Sequence, residues 1–429
     1  MNKRFHNLLT FGYISFLVIW LAGSIFILAK QAFAGKLLVS FHDNLLMFAD
    51  FVQFYSVGQT AIHNPQRIYD LDVQLAAFNH LIAPAGRTTY FVVQYPPFFF
   101  LFVALLPLLP LYLSYFVFCV SSAVIGLFCL NAVLRNTALL SARDCKLFLL
   151  AACMFLPSWM TLRMGQLGWL ILACFCLYYL CWRKGNDLAC GALLALTTLK
   201  PQYTMFLAIP AIVCLRWRML LAATVCEVFL LVAAGVAFGW NNVLNYPAFL
   251  SRVEWDTKFV YTEKMVNLRA LLALIMPEQS ALMLSMGVLA VSAILIGWLW
   301  LTAERRKPQL LPWAMALTTL LSLIVNPHVH LYDLMFVCLS AALTLPTVSS
   351  LAARQLNPPS LRIWCSLLLS YPIVGCLLFV YWDVFGQWLN SNFDPFTVLN
   401  LVLLFSGLSY FRRQAADLPS PSVALGEPG

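Results

Sequence analysis

The feature that most constrains this chain is the length of its apolar runs. They recur as blocks of roughly 16 to 24 residues, the length at which a helix crosses a hydrocarbon layer of about 30 Å. Of the 429 residues 62% are hydrophobic and only 10% charged, against about 25% charged in a soluble domain. No soluble core could hold that surplus, which excludes a soluble enzyme, a secreted disulfide scaffold and a disordered protein. The expected fold class is all-α: a polytopic helix bundle integral to a membrane.

The blocks predict about twelve transmembrane helices, at 8–33, 111–134, 147–162, 168–182, 187–199, 203–215, 219–239, 280–302, 309–325, 331–348, 363–382 and 397–411. Two stretches, 97–110 and 268–277, are too short to cross and read as re-entrant or interfacial pieces. Counting faces alternately, 16 of the 26 Lys and Arg residues fall on the side of Lys3 and Arg4. The positive-inside bias therefore predicts cytoplasmic termini. Ala32-Phe33-Ala34 resembles a signal-peptidase site, but the run before it exceeds a signal h-region and reads as an anchoring span. Residues 1–413 form one integral domain with long outer loops at 34–94 and 240–267, and 414–429 is expected to be a disordered cytoplasmic tail. The net charge of +9 has no basic tract or soluble module behind it, so nucleic acid is not an expected partner. The 13 cysteines lie in or beside apolar blocks and read as packing atoms, not disulfides or metal ligands.

Ionisable groups near bilayer depth cost at least ~2.5–3.5 kcal/mol at a helix centre, so each is a functional candidate. Here such groups and two carboxamides converge: Asp50, Asp70, Arg163, Gln166, Lys200, Asn267, Arg269, His328, His330 and Asp333 all map to the non-cytoplasmic side. Residues 41–55 read as an amphipathic helix at the outer interface, with Asp43 and Asp50 seven apart on one face. Among Met47, Phe51 and Phe54, Asp50 is either a partly desolvated carboxylate suited to general-base work or a solvated residue of the polar face. Lys200-Pro201 divides 187–215 into two short legs, a hairpin whose tip is expected near the outer boundary. There Lys200 either meets a phosphate or extends to the headgroups. Arg163-Met164-Gly165-Gln166 is a turn between spans. Asn326-Pro327-His328-Val329-His330-Leu331-Tyr332-Asp333 is another. With no Cys or second carboxylate pair beside them, its histidines read as hydrogen-bonding groups and no metal is expected. Tyr95-Pro96-Pro97 opens the 97–110 stretch with a fixed backbone turn.

Asp50-Phe51 with Tyr55, Tyr69-Asp70, Tyr95-Pro96-Pro97-Phe98, Gly165-Gln166, Lys200-Pro201 and the Pro327/His328/Tyr332/Asp333 turn follow the order seen in glycosyltransferase family 87. The chain resembles that family over residues ~10 to ~340. The resemblance implies a GT-C-type membrane enzyme of the bacterial inner membrane with its active site on the periplasmic or extracellular face. It implies metal-independent, inverting transfer of a hexose, with mannose foremost, from a polyprenyl phosphate to a lipid or glycan acceptor. The lipid-linked sugar is a co-substrate and no cofactor is implied. Asp50 matches the position of the family's general base. Two departures stand out: Asn64-Pro65-Gln66-Arg67 precedes the Tyr-Asp pair where the family has a glycine, and the His turn differs from the mycobacterial form.

Residue chemistry is compatible with that mechanism. Lys200, Arg163, Arg269, His328 and His330 are cations or donors for a leaving phosphate. Gln166, Tyr55, Asp70, Tyr95, Asn267 and Asp333 complete the set of candidate substrate contacts. No nucleotide-binding glycine loop is present, which agrees with a lipid-linked donor. The rival reading is a secondary transporter or lipid-linked-sugar flippase. That reading calls for internal symmetry and midplane polar residues, whereas this sequence shows no symmetry and a one-sided cluster.

Overall fold

A computed structural model of the chain describes residues 49–83, 92–136, 141–255, 265–353 and 395–417, with isolated positions elsewhere. Most of the expected first span, Asp43, most of 363–382 and residues 418–429 lie outside the described residues. Apart from a two-residue antiparallel ladder of β1 (Val39–Ser40) and β2 (Leu45–Leu46), the described elements are helical. In chain order they are α1 (Ala49–His63), α2 (Leu71–Ile82), α3 (Phe99–Val103), α4 (Leu111–Asn136), α5 (Ala142–Met154) and α6 (Leu156–Met164). They continue with α7 (Gly168–Arg183), α8 (Asp187–Thr197), α9 (Pro201–Val213), α10 (Trp217–Phe238), α11 (Trp240–Trp255) and α12 (Leu268–Ala273). The last four are α13 (Glu278–Leu301), α14 (Leu311–Ile324), α15 (Val337–Ala353) and α16 (Pro395–Asp417).

The chain is a helical membrane protein, but its helices are more uneven than the sequence suggests. Among the described residues, α4, α10 and α13 with its π-helical extension to Arg306 are long and apolar enough to cross. The bent pair α5–α6, kinked by 53°, makes a fourth if counted as one span. Helix length and composition thus support three or four crossings where the sequence predicts about twelve. The blocks at 168–182, 187–199, 203–215 and 309–325 become the shorter apolar helices α7, α8, α9 and α14. These lean on their neighbours. Almost every side chain of α14 is buried, as expected of a helix apolar on all faces at the centre of a bundle.

Long helices divide their surface between lipid and protein. On α4, Phe116, Val120, Val124 and Phe128 form an exposed stripe at helical spacing. The opposite face carries Ser114, Ser122 and Gly126. A Cβ at Gly126 would lie 2.5 Å from the Trp169 ring, so a small residue there lets α7 approach.

Three expectations about the loops need correction. The helix read at 41–55 begins at Ala49 and runs to His63. From Phe51 to Ala61 it is buried, apart from the half-buried Gln59, rather than lying on an interface. The segments 34–94 and 240–267, read as loops, contain α1, α2 and α11. The tail expected to be disordered from 414 remains helical through Asp417.

Candidate active site

The N-terminus of α1, the α6–α7 turn, the 92–98 segment, the start of α9 and the turn before α15 meet in one place. α6 ends at Gly165, whose φ of 68° is the left-handed conformation that stops a helix and favours glycine. The same glycine faces α1, since a Cβ there would sit 2.4 Å from Phe51 Cβ. Asp50-Phe51 and Gly165-Gln166, 116 residues apart, are therefore one contact. Gln166 Nε2 donates to Asp50 Oδ2 at 2.7 Å. Its Oε1 accepts from the Tyr95 hydroxyl and the Leu167 N–H, both at 3.3 Å. Donors at one end and a carboxylate at the other determine the amide's orientation. Asp50 is half-buried and held as a hydrogen-bond acceptor.

Tyr95 is fixed by its ring as well as its hydroxyl. It stacks on Phe99 at 4.2 Å between centroids and meets Phe54 of α1 edge-on at 5.4 Å. Desolvation, then the charges of Asp50 and Asp333, hold its phenol protonated well above the usual tyrosine range. It is a donor at any physiological pH.

A second cluster adjoins the first. Lys200 Nζ donates to Asp333 Oδ1 at 2.9 Å, with side-chain exposures of 4% and 2%. Asp333 Oδ2 accepts the His330 N–H at 3.1 Å, capping the 3-10 turn Leu331–Phe336. The Lys200 ammonium lies over the Tyr332 ring at 5.2 Å and the Tyr203 ring at 5.9 Å. Thr161 of α6 donates to the Tyr332 carbonyl at 3.0 Å, tying this turn to the one that carries Gln166. Tyr95 and Tyr332 each lie within electrostatic reach of both Asp50 and Asp333, so the clusters form a single polar centre. His328 and His330 are half-buried at its rim, the His330 ring 5.3 Å from Tyr332.

Two long helices give the depth of this centre. α8 runs beside α10: a Cβ at Gly191 would lie 2.4 Å from the Met219 carbonyl oxygen, and Thr198 Oγ1 donates to Glu227 Oε2 at 2.9 Å. Glu227 is at the middle of α10, about 15 Å from its first residue at 1.5 Å per residue. The α8–α9 tip, with Lys200 two residues past Thr198, is thus level with the helix midpoint. On α4, Tyr115 and Cys119 bond the Leu162 carbonyl and Gly126 packs on Trp169. Gln166, between Leu162 and Trp169, is therefore level with the middle of α4. Lys200 is buried and lies level with the midpoint of α10. Legs of 11 and 13 residues reach only half-way, and irregular backbone at such depth is tolerated where protein surrounds it.

Other expected site residues have structural partners. Asp70 caps α2, accepting from the Asp72 and Val73 N–H groups, and pairs with Arg67 at 2.6 Å. The Arg67 hydrogen bond, with that of Val73, holds the Asp70 carboxyl below its ordinary value. Tyr55 donates to the Leu109 carbonyl at 3.0 Å. Asn267, fully buried, caps α12 through Ala270 N–H and donates to the Asn326 carbonyl at 2.9 Å. Arg269, also buried, pairs with Glu278 at 3.2 Å. Arg163 is half-buried in the last turn of α6, within electrostatic reach of Tyr115. The residues the sequence reading missed are Tyr203, Thr198 and Glu227. Only Glu227 carried a readable signal, a carboxylate in mid-span.

A helical membrane protein that gathers an oriented carboxylate and a buried lysine into one polar centre has the layout of a membrane-embedded enzyme. The sequence profile of glycosyltransferase family 87 matches residues 91–327, more than half of the chain, and the chain belongs to that family. The matched region holds Tyr95, Gln166 and Lys200. Asp50 precedes it and joins through the Gln166 hydrogen bond. A comparison with curated proteins returned no match.

Proposed function

We propose that this glycosyltransferase moves a hexose, mannose foremost, from a polyprenyl-phosphate donor to a hydroxyl of a lipid or glycan acceptor, with Asp50 as general base. The observation that carries this reading is the Asp50 carboxylate gripped by Gln166 at 2.7 Å inside a buried polar centre half-way along α4 and α10. The acceptor oxygen attacks the anomeric carbon opposite the phosphate, and its proton passes to Asp50. The carbon–oxygen bond to phosphate breaks, and its electron pair leaves with polyprenyl phosphate. Attack from the opposite face inverts the anomeric centre.

Lys200 offers the developing phosphate charge a fixed cation, with the half-buried histidines beside it as donors. A charged headgroup on an apolar tail suits a polar centre enclosed by lipid-facing helices. The charge bias of the loops supports cytoplasmic termini in a bacterial inner membrane and a site opening to the opposite face. No metal enters the proposed step.

The test is transfer of radiolabelled hexose from polyprenyl-phosphate hexoses in proteoliposomes, wild type against Asp50→Asn. Transfer by the wild type alone supports enzyme and base together. Equal transfer by both removes Asp50 from the mechanism. Absence of wild-type transfer across mannose, glucose and galactose donors would overturn the donor class.

A further inference from the structure

Tyr95 depends on a grip that comes from outside the polar centre. Two consecutive carbonyls of the 92–98 segment are held by tyrosines from separate elements. Tyr246 of α11 donates to the Gln94 carbonyl at 2.9 Å, and Tyr69, just before α2, donates to the Tyr95 carbonyl at 2.7 Å. Their rings stack at 5.6 Å, and Tyr69 also packs on Phe249 at 4.7 Å and Phe100 at 5.3 Å. Desolvation raises both phenols, which keeps them donors. α11 is seated where it can hold this grip. Asn242 Nδ2 donates to the Pro65 carbonyl at 3.3 Å, and Gly239, with a φ of 89°, lies against Gln66 where any Cβ would collide.

We infer that Tyr246 and Tyr69 are positioning residues for the base, acting through the Gln94–Tyr95 backbone, the Tyr95 hydroxyl and the Gln166 amide on Asp50. The inference rests on the proposed role of Asp50. Each tyrosine reaches the base through the backbone carbonyl it holds. Loss of either hydroxyl frees a backbone carbonyl and lets Tyr95 drift, and the Gln166–Asp50 bond loses its support from behind. A base displaced by a fraction of an ångström from in-line geometry is a slower base with the same substrate affinity.

Tyr246→Phe keeps the ring, and hence the stacking and the fold, and removes one hydroxyl. The expected result is a fall in kcat of about fivefold to tenfold, the worth of roughly one hydrogen bond, with KM for polyprenyl-phosphate hexose unchanged. Tyr69→Phe should behave alike. If the relay is real, Tyr246→Phe placed in a Tyr95→Phe background lowers kcat no further. An additive loss in that background overturns the relay. So does a wild-type kcat in Tyr246→Phe when Asp50→Asn is inactive, and the proposed function then still stands. A readout independent of activity covers failure of the donor reading itself. Amide hydrogen exchange on the full-length protein in nanodiscs should quicken at 92–98 and at Gln166–Leu167 in both Phe variants, and unchanged exchange at Gln166–Leu167 overturns the inference.

Discussion

The Lys200–Asp333 pair allows the sharpest test of the polar centre. At 2.9 Å, with both side chains almost wholly buried, the gross attraction is about 6 kcal/mol at an effective dielectric of about 20. Desolvation of two ions offsets most of that, so the intact pair stabilises little in net terms. Removing one partner is different. Lys200→Met removes the ammonium that donates to Asp333 Oδ1, and Asp333→Leu leaves the lysine ammonium against two tyrosine rings. Either single change should destabilise by about 3–5 kcal/mol. The double variant Lys200→Met/Asp333→Leu buries no charge and should recover most of the loss. Unfolding of purified protein in mixed micelles, titrated with SDS and followed by tryptophan fluorescence, measures all four species. Transfer assays on the same samples should show the double variant still inactive, because restored stability does not restore the cation. Singles within about 0.5 kcal/mol of the parent, the range of surface substitutions, would show that no buried charge is stranded and would refute the reasoning. A double variant no more stable than the worse single would do the same.

Two further predictions concern the frame around the centre. Gly165→Ala places a Cβ 2.4 Å from Phe51 at a φ of 68°, whereas Gly185→Ala meets a φ of 66° with nothing within 4 Å. Both should lose about 1–2 kcal/mol from left-handed strain, but Gly165→Ala alone should also lose on the order of tenfold or more in transfer through displacement of Asp50. Equal transfer in the two variants would show that the α1 contact does not position the base. Asp70→Ala should destabilise the start of α2 by about 1 kcal/mol through loss of its cap, read as faster amide exchange at 71–75. Because the native Asp70 carboxyl is held below its ordinary value, chiefly by Arg67, its stabilisation is complete above the unfolded pKa of about 3.9. It is lost only as pH falls through the lowered native value. Wild-type exchange there, corrected for intrinsic rates, should be flat from pH 5 to 8 and quicken below about pH 4; a change above pH 5 would contradict the assignment.

Much of this centre was legible because its members are costly. A carboxylate, a lysine and a glutamine beside apolar runs have few reasons to be there except pairing or chemistry, and Asp50, Gln166, Lys200 and Asp333 do come together. Asp70 and Asn267 cap helices in the structure, and the reason sequence did not show this is equally physical. The side-chain oxygen that caps a helix is the one that would bind a hydroxyl, and sequence cannot tell the two apart. α2 and α11 were hidden because they lie within segments read as loops, without the long apolar runs that marked the spans. The height of the hairpin tip along its neighbours was the least legible feature. Counting apolar residues treats every block as a crossing, and nothing in 187–215 says that its two legs stop half-way. The missing reference was lateral: Glu227, a carboxylate at the middle of a helix long enough to cross, bonded to Thr198 at the hairpin tip. Once the tip is level with that midpoint, the rest follows from length. Helices of 11 and 13 residues leave half the height of α10 unmatched. Near its Phe238 end α10 meets other elements: Phe100 of α3 packs on Phe238, and Gln66 lies against Gly239. The short hairpin sets Lys200 level with the midpoint of α10, and the segments read as loops supply Asp50 and Tyr95 to the same centre.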